Sequence, residues 1–216
     1  MSTTTPQLQF SPNLTIGYKE PLASASEAIR LDHGTHFLLA RNGRGKTTLL
    51  RTIARTIKEL DGKVETRGRL QYIPENLVFD KELTPTSIFK ALIHKSRLHY
   101  ALDLARRIEL DVHKEYGKLS TGNRRKANLI VAEFSADPGS ANILLLDEPF
   151  SGLDAYAREQ FETLWKGSSE QTLRLVSCHP DYDSMGIPSA VVIQDQKIEH
   201  TTGQDQTWQR LKQRLN

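Results

Sequence analysis

With 216 residues, 38% of them hydrophobic and 25% charged, the chain has the size and composition of a globular protein with one sizeable core, not of a disordered or fibrous polymer. A net charge of +3 is too small to point to nucleic acid, and the single cysteine, Cys178, excludes an internal disulfide and fits a reducing compartment. The longest aliphatic run, Ile143 to Leu146, is too short to span a bilayer, and Met1 to Pro6 carry neither a basic nor an apolar leader pattern, so neither segment type is expected.

In chain order, Gln7 to Phe10 and Leu14 to Ile16 alternate as half-buried strands do, and Ala28 to Leu31 and Thr35 to Ala40 supply two more. Together they predict a small antiparallel β lobe. Apolar residues at Leu49, Leu50, Ile53, Ile57 and Leu60 then recur at helical spacing, predicting a helix from Lys46 to Leu60 that runs out at Asp61-Gly62. Two short strands follow, Lys63 to Glu65 and Arg69 to Ile73, joined by a turn at Arg67-Gly68.

Between Thr84 and Ser135 the spacing is helical throughout: Ile88, Phe89, Leu92 and Ile93, then Leu98, Leu102, Ala105 and Ile108, then Ala127, Ile130, Val131 and Phe134. This predicts a helical lobe, residues 84–135, inserted in an alternating strand–helix core. Asn142 to Leu146 is a continuous apolar run of the kind buried on both faces of a parallel sheet. Beyond it the pattern predicts a helix from Asp154 to Lys166, strands at Leu173 to Ser177, Ala190 to Ile193 and Lys197 to Glu199, and a last amphipathic helix carrying Trp208, Leu211 and Leu215.

Two stretches carry chemistry. In the first, a strand ending at Ala40 leads through Arg41, Asn42, Gly43, Arg44 and Gly45 to Lys46, Thr47 and Thr48. A nucleoside triphosphate needs inward-pointing backbone N–H groups, a cation at its terminal phosphates and a hydroxyl for Mg2+; the glycines free the backbone, Lys46 supplies the charge and Thr47 the hydroxyl. The helix N-terminus that follows favours anions. The full phosphate-loop pattern would begin with glycine at position 40, where this chain has alanine. That substitution is harmless if residue 40 is extended and costs about 1 kcal/mol or more if it needs positive φ. The Gly-Lys-Thr core alone arises by chance in about one chain in ten of this length, so it needs support from elsewhere.

The second stretch, Ile143 to Pro149, supplies that support, because Asp147 and Glu148 stand at the carboxyl end of a buried strand, where open α/β sheets place their ligands. Asp147 is suited to hold Mg2+ through water, and Glu148 to polarise a water attacking the γ-phosphate. The alternative is a turn whose carboxylates cap the next element.

In these two motifs and in those that follow, the chain resembles the nucleotide-binding subunit of ABC transporters over nearly its whole length. Leu119 to Asn123 is similar to the Leu-Ser-Gly-Gly-Gln signature, with Ser120 and Gly122 matching and Thr121 and Asn123 departing. Ser151 to Asp154 matches the family's D-loop, and His179 stands where the family has its switch histidine. Tyr18 matches the aromatic that stacks on adenine, with a strand-end tyrosine packed on the core as the alternative. Leu70 to Pro74 resembles the approach to the Q-loop, but Glu75 replaces its glutamine. The basic run Arg124 to Lys126 is read as a solvated helix face, with attraction of phosphate as the alternative.

The resemblance implies a single P-loop NTPase domain of ABC type over residues 1–216, an α/β core with an N-terminal antiparallel β lobe and the inserted helical lobe. It implies ATP and Mg2+ as ligands, with Tyr18, Asn42, Gly43, Arg44, Gly45, Lys46, Thr47, Thr48, Ser120 and Gly122 binding nucleotide. Thr47, Asp147 and Glu75 are the implied metal groups, and Glu148 and His179 the catalytic ones. A second copy or a paralogous cassette would close over the nucleotides, and a separate transmembrane subunit would hold the chain at the cytoplasmic face of a membrane. Two alternatives stand beside this: an ATPase of a soluble complex, and a degenerate cassette that binds ATP but hydrolyses it poorly.

Overall fold

A computed structural model describes residues 5–167, 170–178, 185–204 and 206–215. The chain divides into two compact units, one drawing on Met1–Tyr72, Ser140–Glu148 and Ser169–Asn216, the other on Ile73–Gly139 and Pro149–Ser168.

The first unit holds two sheets. Strands β1 (Gln7–Phe10), β4 (Ile29–Leu31) and β6 (Val64–Arg67) form a three-stranded antiparallel sheet in the order β4-β1-β6. The larger, eight-stranded sheet uses β2 (Thr15–Gly17), β3 (Pro21–Ala25), β5 (Gly34–Ala40), β7 (Arg69–Ile73), β8 (Asn142–Leu146), β9 (Thr172–Ser177), β10 (Ser189–Gln194) and β11 (Lys197–Thr202). Its order is β2-β3-β11-β10-β5-β9-β8-β7, with β10, β5, β9 and β8 mutually parallel. Every second residue of these central strands, Leu38 and Ala40, Ile143 and Leu145, Leu173 and Leu175, Val191 and Ile193, enters one core with Leu8 and Phe10 of β1 and with Leu49, Leu50 and Ile53 of helix α1 (Lys46–Ile53). β8 is buried at every position, as its unbroken apolar run predicts.

Three features differ from the sequence reading. Helix α1 stops at Ile53, not Leu60: Arg55 turns to positive φ (58°), and the N–H of Leu60 pairs with the carbonyl of Thr15 in β2. The apolar period runs on past the helix because Ile57 and Leu60 serve this irregular return. Strand β3 escapes the sequence pattern because its buried side chains are only alanines, Ala23 and Ala25, behind a proline. The β lobe is also not wholly N-terminal, since β6 joins it from beyond α1 and Gly68, at φ 131°, then turns the chain out of that sheet into β7 of the other.

The second unit is helical: α2 (Pro85–Leu92), α3 (Lys95–Arg107), a 3-10 turn at Tyr116–Lys118, α4 (Thr121–Ser135) and α5 (Ala155–Lys166). Thr84 and Ser87 cap α2 reciprocally, with Pro85 at its first position, so the predicted start of the lobe is set by local chemistry. Trp165 of α5 donates to the buried Glu133 of α4 at 2.8 Å and lies 5.2 Å from the Phe150 ring. A last helix, α6 (Trp208–Arg214), packs Trp208 and Leu211 into the first unit.

Candidate active site

The phosphate-loop strand β5 lies between β9 and β10, and its last residue, Ala40, is in register with Ile193. Residue 40 is therefore extended, and alanine stands there without backbone strain. Positive φ is needed at Gly43 (74°) and Gly45 (110°), where the chain has glycine. Among the described residues, helices α2 to α6 all begin with a side-chain cap, from Thr84, His94, Ser120, Asp154 and Thr207, whereas α1 begins at Gly45 with none. An uncapped N-terminus on a glycine loop leaves backbone donors for an anion.

Lys46 is 7% exposed, its ammonium donating to the Ala40 carbonyl at 3.2 Å and standing 3.4 Å from Glu148 Oε1. Asn42, Arg44 and Thr47 are exposed, whereas Thr48 is buried, with its carbonyl accepting from the Thr52 hydroxyl. On the loop's flank, Arg41 and Arg44 line a cavity of about 480 Å³ with Leu22 and Asp195. Neither Lys46 nor the acidic pair lines it, so it adjoins the loop without containing the chemistry.

Asp147 is 3% exposed at the end of β8. Both of its carboxylate oxygens are held: Ser177 Oγ donates to Oδ1 at 2.9 Å and the Tyr72 hydroxyl donates to Oδ2 at 3.3 Å. Burial, followed by the Asp147 charge, raises the Tyr72 pKa, which keeps its proton in place to donate. Glu148 lies at φ 47°, in the left-handed region, and its N–H donates to Ser177 Oγ at 2.7 Å. Sequence reasoning missed Ser177 and Tyr72; the available signal was a polar residue closing the apolar strand next to β8.

Tyr18 is 61% exposed, which removes the alternative of a tyrosine packed on the core. Its hydroxyl accepts from Arg51 Nη1 at 3.2 Å, and hydrogen bonds to Tyr18 and then Tyr72 hold the Arg51 pKa above its usual value.

In the second unit, Ser120 caps α4 by accepting from the Asn123 N–H, and Gly122 follows in the first turn. A Cβ on Gly122 would lie 2.6 Å from the Gly152 carbonyl, so glycine is required for the backbone contact between signature and D-loop. The basic run is not a solvated face. Arg125 and Lys126 are buried, Arg124 donates to the Tyr116 and Gly117 carbonyls, and Lys126 donates to the Ile108 carbonyl while pairing with Asp154 at 2.7 Å. Charge in the sequence concealed groups that satisfy turn carbonyls. Glu75 belongs to this unit, its carboxylate 4.0 Å from Arg125 and its carbonyl accepting from the same side chain. His179 lies outside the described residues.

Parallel strands of one sheet, β5 ending in a glycine loop and Lys46 and β8, one strand removed across β9, ending in Asp147 and Glu148, define a P-loop nucleotide-binding fold. Residues 29–151 match the ABC transporter family, more than half of the chain, and the chain belongs to that family as an ATP-binding cassette. It is 35% identical over 126 residues to an uncharacterised ABC transporter ATP-binding protein of Methanocaldococcus jannaschii, covering 54% of this chain and 46% of the relative. It is also 32% identical over 146 residues to the ABC transporter ATP-binding protein YtrB of Bacillus subtilis, covering 61% and 49%. The chain thus spans about half the length of these curated relatives. Its fold is that of a solved ATP-binding subunit of an ABC transporter, with a TM-score of 0.74, 19% identity, and coverage of 96% of this chain and 98% of that one.

Proposed function

We propose that the chain binds and hydrolyses ATP and thereby powers a separate membrane-spanning partner. The observation that carries this reading is the convergence of Lys46 on Glu148 at 3.4 Å, beside an Asp147 whose two oxygens are already oriented. A cation and two carboxylates of different roles, Asp147 buried and Glu148 partly exposed, at the end of a parallel sheet suit phosphoryl transfer to water.

In this reading Lys46 and the α1 N-terminus take up the phosphate charge, Tyr18 offers its exposed ring to the base, and Glu148 accepts a proton from the attacking water. The donors fit Mg2+, a hard cation that prefers oxygen: Asp147 and Thr47 would hold it, and when bound it neutralises charge on the phosphates. Ser120 and Gly122 of a second copy, or of a paralogous cassette, complete the site across a dimer, whose closure drives the partner. Among the described residues no helix is long and apolar enough to cross a membrane. In this reading the spanning partner is another chain, which holds the cassette at the cytoplasmic membrane face. The extended Ala40 weakens the degenerate-cassette alternative, since the missing glycine costs the loop no strain.

The test is steady-state ATP turnover by the purified chain and by Lys46→Ala and Glu148→Gln. Turnover lost in Lys46→Ala, and slowed by about 10²-fold or more in Glu148→Gln with nucleotide binding retained, supports hydrolysis. Equal turnover in all three removes it. Co-purification of a polytopic membrane protein with the MgATP-locked Glu148→Gln form supports transport, and recovery of soluble complexes instead removes that part.

A further inference from the structure

One buried hydroxyl joins the two carboxylate residues. Ser177 is wholly buried at the end of β9, the strand between the phosphate-loop strand β5 and the acidic strand β8. Its oxygen accepts the Glu148 N–H at 2.7 Å and donates to Asp147 Oδ1 at 2.9 Å. A serine hydroxyl has a single proton to give, and here it is committed to Asp147 while a lone pair takes the peptide of the next residue.

The geometry points to Ser177 as a positioning residue for both members of the acid pair, fixing the left-handed Glu148 peptide and the edge of Asp147 left for a cation with the same oxygen. Glu148 stands at φ 47°, a conformation that a side-chain-bearing residue keeps only when its surroundings hold it. The Ser177 bond acts directly on that peptide, whereas Lys46, 3.4 Å from Glu148 Oε1, acts on the carboxylate. Tyr72 holds the opposite oxygen, Oδ2, so the Asp147 carboxylate rotates only if one of two hydroxyls lets go. Ser177 thus acts through Asp147 and Glu148 without touching a substrate itself, and it ties the placement of the water-activating group to that of the metal group. This deepens the hydrolase reading proposed above, and its kinetic arm rests on that reading.

The test compares Ser177→Thr with Ser177→Val, which share a shape and differ in the hydroxyl, and adds Ser177→Ala to relieve any crowding from the extra methyl. Two quantities are read on the whole chain: kcat and KM for MgATP, and the affinity for Mn2+ with a non-hydrolysable ATP analogue bound, followed by electron paramagnetic resonance. Removing an outer-shell partner of a metal group typically lowers activity or metal affinity by about ten-fold or more. The expected result is such a fall in kcat for Val and Ala with KM changed by less than about three-fold, a matching loss of Mn2+ affinity, and most of both retained in Thr. Thr and Val behaving alike in both measurements overturns the proposal, because the methyl and not the hydroxyl would then matter. If the unmodified chain shows no turnover above Lys46→Ala, the hydrolase reading falls, and the Mn2+ comparison of Thr with Val decides the role of Ser177 alone.

Discussion

Lys126 of the signature helix places its ammonium 2.7 Å from the carboxylate of Asp154, the residue that caps α5. The Asp154 pKa is held below the ordinary carboxylate value first by that contact and next by the Ala157 N–H that it accepts. The two jobs are separable. Asp154→Asn keeps a capping side chain and discards the charge, and with Asp154 55% exposed it should cost less than about 1 kcal/mol. Asp154→Ala discards both and should cost roughly 1 kcal/mol more. Urea unfolding of the two variants measures the difference, and equal midpoints would remove the capping role.

Gly122→Ala is expected to be destabilising out of proportion to one methyl group. The added carbon would sit 2.6 Å from the Gly152 carbonyl, a backbone atom with little freedom to withdraw. A cost of about 1–3 kcal/mol is expected, read as a lowered thermal midpoint. A variant as stable as the parent would mean that the segment carrying Gly152 yields easily.

Tyr72→Phe leaves the ring in place and frees Oδ2 of Asp147. The stability change should be about 1 kcal/mol or less, while the Mg2+ concentration giving half-maximal turnover should rise by roughly ten-fold. A Mg2+ titration of the two proteins compares them directly, and superimposable curves would count against a role for this hydroxyl.

At the opposite end of β5 from the phosphate loop, His36 and His200 meet the Ser189 hydroxyl at 2.7 and 2.8 Å, and His36 Nε2 donates to the Asp32 carbonyl at 2.8 Å. With Nε2 carrying the proton, neutral His36 accepts from Ser189 at Nδ1, and Ser189 in turn accepts from His200. Burial is the main cause lowering both histidine pKa values, with the Asp32 carbonyl partly offsetting it for His36. The unfolded chain therefore binds these protons more readily. Stability should be complete above the ordinary histidine value of 6.5 and decline as the pH falls below it toward the depressed folded values. His36→Gln should flatten that decline below pH 6.5 in urea unfolding. An unaltered slope would assign the effect to other groups.

How much of this was legible beforehand depended on the kind of contact involved. β8 declared itself because a strand covered on both faces has no polar alternation to hide it, and Asp147 at its end marked the carboxyl edge of the sheet. Lys46 and Glu148, which the fold sets 3.4 Å apart, could be picked out because their chemistry travels with local spacing. Ser177 was not, since its two partners lie about thirty residues away and meet it only through the strand order β5-β9-β8. Ala40 left a question that register answered, and Tyr18 one that exposure answered. Arg125 and Lys126 misled because a long cationic side chain has the same letter on a wet face as beneath a turn whose carbonyls it serves.

The strand order also dictates when, during synthesis, this site can exist. Both neighbours of β5 come late, β9 at Thr172–Ser177 and β10 at Ser189–Gln194, whereas the phosphate loop follows β5 directly. A nascent chain that has emerged through α5 exposes every residue of the Lys46 loop and of the Asp147–Glu148 edge, yet β5 lies alone, and Ser177 is still inside the tunnel. Ribosome-bound intermediates should therefore neither retain nucleotide nor resist protease around residue 46 until β10 has cleared the exit tunnel. Acquisition of the nucleotide site should then come in one late step.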